Sequence, residues 1–350
     1  MQDLTICTST PSALERAGLA ANTAASHNRL QSYQAGISAE TLRRQRADIA
    51  LFERYLAEAG VPIHGLFEEI ERWQGMTWGL LEGFKEWQLQ QGYATGSVGV
   101  RMATMKRYAE IAAQSEVLDA QAYRLIQSVK MYRAKQLRHL DEKRLVKRQG
   151  KKKAEPVVIS TAHIDRLKSL LRTDESYLGR RDYLLLCLLA HQGLRCGEVQ
   201  QLEAQNLDLA GGYLVFYRHK VDKTQTHQLH PATHEAALRY FDHVQPRGYL
   251  FLGVDRAMWR DEAGKRYKGH AATDGLSTRA INERVHYFGT LVGLEGLSPH
   301  DLRHYWTSDA ARNKTDLATL QQAGGWNSPI MPLHYMEKHK IANEGIKQSP

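Results

Sequence analysis

Cysteine is scarce: the chain has three, Cys7, Cys187 and Cys196, in 350 residues. Thiols so few and so scattered exclude a disulfide framework or a zinc knuckle, and they fit a reducing cytoplasm. Long apolar runs are also lacking. No stretch approaches the roughly eighteen apolar residues that a membrane span needs. The N-terminus, MQDLTICTSTPSALERAG, has no apolar segment after a basic start, so no secretory signal is expected. Acidic residues are in deficit, 38 against 47 Lys and Arg, which leaves a formal charge of +9 and a pI near 9.3. That balance points to an anionic partner, and the lack of an apolar span argues against a membrane one. With 42% apolar residues the chain can bury real cores, and its length suits about two domains.

The basic charge is concentrated. Ten Lys or Arg fall between Met131 and Lys153, against Asp141 and Glu142. Such a run suits a solvated linker and a nucleic-acid backbone contact equally well. Upstream of it, helical spacing dominates. Ser38 is an N-cap for a helix in which Leu42, Ile49, Phe52 and Leu56 recur, ending at Gly60. Further helices are expected over 77–92, from Thr95 or Ser97 onward, and over 120–137. Trp73, Trp78, Phe84 and Trp87 are spaced to pack between them, while Arg44, Arg101, Lys106 and Arg107 are candidates to touch phosphates, as are Lys147 and Lys151 of the basic run.

Beyond the linker the period changes. A capped helix follows Ser160, and RDYLLLCLLAHQGLR is apolar enough to be buried, with Cys187 a core residue. Residues on both sides of Gly211-Gly212 favour strands, a hairpin signal, and a third strand is expected at THQLHP. Helices resume at HEAALRYFDHV, at STRAINERVHYFGTLVGL and at His300. Residues 253–275 show no period and read as a surface excursion. The division is then a weakly ordered arm over 1–25, a helical domain over 26–135, a basic linker over 136–156, a mixed α+β domain over 157–338 and a tail over 339–350. The fold class is mainly α with a small antiparallel sheet.

The chemistry concentrates between Leu297 and Tyr335. HDLRH lies at a helix start, so His300, Arg303 and His304 can share a face. Two His at this spacing could bind zinc, but a metalloprotease places Glu after the first His, and here Asp301 stands there with a cationic Arg303 alongside. Arg and His together suit a phosphate better, since guanidinium offers paired donors to two oxygens. One Arg neutralises a pentavalent phosphorane poorly. Arg195, in GLRCGEVQQL, is the natural second, with Glu198 three residues on to hold it; taken alone, R-x-x-E is usually only an ion pair. Tyr335 is the candidate nucleophile, and its hydroxyl needs cations and a base to act near pH 7. Trp326 can pack beneath it or donate its indole N–H. Lys220 and Lys223 of the hairpin could protonate a leaving oxygen.

In this order and spacing, Arg195, a hairpin Lys, His300, Arg303, Trp326 and Tyr335 resemble the tyrosine recombinase (phage integrase) family. The resemblance implies a SAM-like helical core-binding domain and a catalytic domain of the DNA breaking-rejoining type. It implies that Arg195 and Arg303 clamp the scissile phosphate, that His300 works in general acid/base catalysis, and that Tyr335 forms a 3′-phosphotyrosyl bond. Lys223 is the first choice for the general acid and Lys220 the second; His304 and Glu198 support. No cofactor and no metal are implied. The partner is double-stranded DNA carrying a specific recombination site. The segment after Tyr335 implies a homotetramer on two duplexes, accessory proteins being compatible with it, in a cytoplasmic, nucleoid-associated setting that includes mobile elements. Two other readings remain: a type IB topoisomerase-like activity, and a DNA-binding relative that has lost catalysis. The filled catalytic positions weigh against the second.

Overall fold

The computed structural model describes residues 12–132, 157–254 and 271–337, with 136, 139–140, 258–260 and 266–268 between them. The chain divides into two compact units, Met1–Lys151 and Lys152–Pro350, each with its own apolar core. Lys147 and Lys151, most of the basic linker and the tail lie outside the described residues.

The first unit is helical: α1 (Ala13–His27), α2 (Arg29–Ala35), α3 (Ala39–Glu58), a short 3₁₀ turn at Ile70–Trp73, α4 (Trp78–Gln90), α5 (Thr95–Gln114) and α6 (Ala120–Ser128). The reading of residues 1–25 as a weakly ordered arm is corrected for 13–25, because Ser12 and Glu15 form a reciprocal capping box that starts α1. Ser38 caps α3 by accepting from the Thr41 N–H, and Ile49, Phe52 and Leu56 turn into the core where α3 meets α5. Phe52, Trp73 and Phe84 cluster there, with Phe52–Phe84 centroids 5.1 Å apart and edge to face. Trp78 departs from the expected packing: it is 51% exposed at the first turn of α4. The fourth expected helix is also shorter than 120–137. It stops at Ser128, where Lys106 draws the chain out of helical geometry by donating to the Gln127 and Val129 carbonyls at 2.8 and 2.6 Å.

The second unit is built round α8 (Tyr177–Ala190), whose residues 181–190 are all buried, as its continuous apolar run requires. Against it pack α7 (Thr161–Arg172), α9 (Cys196–Gln200), α10 (Pro231–Val244) and α12 (Pro299–Arg312). A three-stranded antiparallel sheet, in the order β1 (Leu207–Asp208), β2 (Tyr213–Arg218) and β3 (Lys223–Gln228), carries the Gly211-Gly212 turn between its first two strands. β3 begins three residues earlier than THQLHP suggests. Along β2 the side chains alternate strictly: Leu214, Phe216 and Arg218 point inward. The described parts of 253–275, expected to show no regular structure, form strands: β4 (Leu252–Val254) pairs with β7 (Ala271–Gly275), and β5 (Met258–Arg260) with β6 (Arg266–Lys268). Aperiodic side chains hide such short ladders, because backbone pairing needs no apolar alternation. α11 (Thr278–Leu291), α13 (Leu317–Gly324) and α14 (Ile330–Glu337) complete the unit.

Between α8 and α9 the chain turns at Gly193, whose φ is +62° and whose added Cβ would lie 2.3 Å from the Trp306 ring. A Gly193→Ala variant is expected to lose roughly 2–4 kcal/mol, from left-handed backbone strain plus overpacking. A drop in the urea midpoint of the intact protein checks this; an unchanged midpoint refutes it.

Candidate active site

Four segments of the second unit converge. α12 starts at Pro299 after a capping box in which the Ser298 N–H and hydroxyl donate to Asp301 at 2.8 and 2.6 Å, and the Val157 N–H donates to the other carboxylate oxygen at 3.0 Å. Asp301 is therefore engaged in capping and in fixing the first residues of the unit. Among the described residues no group of three His, Cys, Asp or Glu could hold a metal ion. The same helix presents His300 and His304 on one face, rings 4.3 Å apart and edge to face, with Arg303 between them in sequence and buried.

Arg303 donates to the carbonyls of Gly193 and Gly324, and its guanidinium lies 4.8 Å from the Trp326 ring centre. Arg195, the N-cap residue of α9, donates to Glu198 at 2.7 Å and to the Gly324 and Gly325 carbonyls at 3.3 and 3.1 Å. A third arginine joins them. Arg218, fully buried on β2, donates to Glu198 at 3.1 and 3.3 Å, to the Gly324 carbonyl at 3.1 Å and to the Ala323 carbonyl at 2.7 Å. Three guanidiniums thus meet at the C-terminus of α13, where the unpaired carbonyls and the negative end of the helix dipole accept them. Burial, then the neighbouring Arg195 charge, pushes the Arg303 guanidinium down to about 9, with Glu198 pulling back. Burial does the same to Arg218, down to about 10, again opposed by Glu198. One carboxylate against three guanidiniums leaves the cluster net cationic and suited to an anion.

The geometry explains the two glycines before Trp326, since a Cβ at Gly324 would lie 1.9 Å from the Trp326 ring. Gly325 closes α13 at φ +60°, and a Cβ there would meet the Arg218 guanidinium at 2.7–3.0 Å. Trp326 then stacks between Trp306 and Tyr335, with centroids at 6.4 and 6.3 Å. Tyr335 itself is 4% exposed on α14, its hydroxyl 2.5 Å from His304 Nδ1. Burial raises the tyrosine above its ordinary pKa and the Arg303 charge draws it back. Tyr305 faces the core instead.

A cleft of about 380 Å³ is lined by Arg195, Cys196, His219, Lys220, His300 and Arg303. Lys223, the first choice among the hairpin lysines, is not in it; at the start of β3 it lines a separate cavity with Gln225, His227, Trp306 and Gln322. The turn after β2 decides this, since Asp222 in the left-handed region (φ +49°) reverses the chain between the two lysines. Cys196 is half-buried and its thiol is pushed up to about 11 by burial, so it stays protonated. In the first unit, Lys106 is committed to the backbone carbonyls behind α6, which takes its ammonium away from the expected phosphate role. Arg44 pairs with Asp48 at 2.9 Å, Arg107 with Glu110 at 2.7 Å, and Arg101 lies over the Tyr93 ring and donates to Gln88 at 3.1 Å.

A family model described as the phage integrase family matches residues 161–341, which contain this whole cluster. The chain belongs to that family. Among curated integrase relatives, the tyrosine recombinase XerC of Pseudomonas entomophila is 33% identical over 175 residues, 49% of this chain and 54% of its own length. XerC of Chromohalobacter salexigens is 26% identical over 299 residues, 85% of each chain. The match thus spans about half of the Pseudomonas protein. Among solved structures, a lambda integrase dimer bound to a COC′ core site aligns with TM-score 0.57 at 13% identity, covering 95% of this chain and 83% of that one. XerH bound to a palindromic difH substrate aligns with TM-score 0.58 at 14% identity, covering 85% and 76%. These likenesses place the integrase fold on the chain.

Arg218 is the site residue that sequence reasoning missed. The signal was present: it occupies the third inward slot of the Leu214–Phe216–Arg218 alternation, where an apolar residue is the norm. Replacing it with Met should leave Glu198 half-paired and cost about 3–5 kcal/mol, the usual penalty for breaking a buried pair, read as a lower urea midpoint. A second expectation concerns acid. Burial, then the charge of nearby Arg218, holds His227 down to about 4 from an ordinary 6.5, and burial, then His230, does the same to His191. The folded state excludes protons that the unfolded chain binds below pH 6.5. This stabilisation is therefore complete above that pH and is lost as pH falls toward 4. The melting temperature should decline across that window, and His227→Gln should flatten the decline.

Proposed function

We propose that this chain is a site-specific DNA recombinase that cleaves and rejoins strands through a 3′-phosphotyrosyl intermediate. The observation that carries the reading is the Tyr335 hydroxyl set against His304, on the helix that also delivers His300 and Arg303 to a cleft shared with Arg195. A scissile phosphate in that cleft meets Arg195 and Arg303, whose guanidiniums offset the charge that develops on the non-bridging oxygens. Glu198 and Arg218 hold Arg195 in place from behind. His300 lines the same cleft beside them, placed to donate a hydrogen bond to the phosphate. Tyr335 attacks phosphorus, the 3′-phosphotyrosyl bond forms and the 5′-oxygen leaves. We assign the proton for that oxygen to Lys220, which lines the cleft, in preference to Lys223. Because a phosphotyrosyl ester preserves the energy of the bond it replaces, a 5′-hydroxyl from a partner strand can attack it and complete the exchange without a nucleotide. The family match and the recombinases named among its relatives support the same reading.

The substrate on this reading is double-stranded DNA with a specific site, held by four protomers around two duplexes in the cytoplasm, at the nucleoid. The basic residues of the first unit and of the linker, Arg44, Arg101, Arg107, Lys147 and Lys151, are proposed to contact its backbone, with weakened binding at raised salt.

The test is a nicked suicide duplex carrying the protein's own site. Wild type should form a covalent adduct on a denaturing gel, with or without EDTA, and Tyr335→Phe should form none. Lys220→Met should slow adduct formation by on the order of 10²-fold or more, while Lys223→Met should stay near wild type. No adduct from wild type on its site overturns the proposal, and relaxation of plasmid lacking any site points to a topoisomerase instead.

A further inference from the structure

We propose that His304, and not His300, is the catalytic residue that takes the proton from the Tyr335 hydroxyl. The inference rests on the recombinase reading of the same site and adds a residue to its chemistry. Tyr335 Oη lies 2.5 Å from His304 Nδ1 and 3.5 Å from Nε2, with the two rings 5.1 Å apart. In the tautomer that carries its proton on Nε2, the Nδ1 lone pair accepts this hydrogen bond. The distance is slightly shorter than the roughly 2.6–3.2 Å typical of a general base and its proton, so no water need relay the transfer.

The carboxylates near this helix are committed elsewhere. Glu198 is shared by Arg195 and Arg218, and Asp301 is bound by Ser298 and the Val157 N–H. His300 lines the phosphate cleft, with its ring edge to face against His304. The placement follows from helix geometry: His300 and His304 are four residues apart on α12, so one reaches the cleft while the other meets α14, which packs on α12. Burial lifts Tyr335 above its ordinary pKa, which makes a proton acceptor more necessary.

The step balances. The Oη–H bond breaks and its proton moves to Nδ1, giving an imidazolium; the released pair on Oη forms the bond to phosphorus. The P–O5′ bond breaks, and the 5′-oxygen takes a proton from Lys220. In rejoining, the 5′-hydroxyl returns its proton to Lys220 and the imidazolium reprotonates Tyr335.

The experiment uses the full chain and a nicked duplex whose site is recovered by sequencing DNA captured covalently by wild type from a randomised pool. Adduct formation by wild type and its loss in Tyr335→Phe judge the recombinase reading by themselves. His304→Ala should then cleave on the order of 10²-fold more slowly, with at least tenfold recovery in added imidazole. A 5′-bridging sulfur, a leaving group that needs no proton, should restore Lys220→Met and leave His304→Ala slow. If Ala lowers the melting temperature, the sulfur arm is read on His304→Gln, which can keep a hydrogen bond but cannot accept the proton. Wild-type rates in His304→Gln overturn the assignment. So does a folded His304→Ala that imidazole fails to rescue, or restoration of a His304 variant by the bridging sulfur.

Discussion

The Gly324 carbonyl, at the end of a two-turn helix, is the point on which the second unit depends. Arg195, Arg218 and Arg303 all donate to it, from a short helix, a strand and a long helix that lie far apart in sequence. Three cations around one oxygen would repel without compensation. Glu198 supplies one full charge, and the carbonyls of residues 323–325 supply the partial charges of a helix C-terminus. The balance left is positive and largely desolvated, a state that suits an anion. On the proposed function, donors fixed in advance need no reorganisation when the substrate binds.

The same point governs local backbone choice. Gly325 must be glycine because Arg218 occupies the space of a side chain, and Gly193 must be glycine because Trp306 does, while its own carbonyl receives Arg303. Trp326 follows at once and passes the constraint on: it stacks on Arg303 and on Tyr335, so the position of Tyr335 is tied by packing to that of Arg303. α14 is short and carries Pro332, and on it Tyr335 is buried against Trp326 and His304.

Much of this was legible in the chain. The helical periods of 39–58 and 177–190, the glycine turn before β2 and the spacing from His300 to Tyr335 are local properties, and local properties survive in sequence. Trp78 was misplaced because spacing sets which face a residue shares and not how deep that face is buried. The pairing of residues 252–254 with 271–275 escaped for a related reason: backbone ladders leave no trace when side chains do not alternate. Arg218 lay in view as a charged residue in an inward slot. Only the carbonyls of residues 323 and 324, more than a hundred positions away, give it a purpose.

By itself the sequence determined the class of fold and the family, because these follow from periodicity, capping and the ordered set from Arg195 to Tyr335. The tertiary structure decided which groups meet. It put Lys220 rather than Lys223 in the cleft, because one left-handed residue, Asp222, turns the chain between them. It gave the tyrosine to His304 rather than His300, because α14 meets α12 one turn further along the face that the two histidines share. Contacts of this kind depend on the register between distant elements, and that register is set by the whole core and not by any local run of residues.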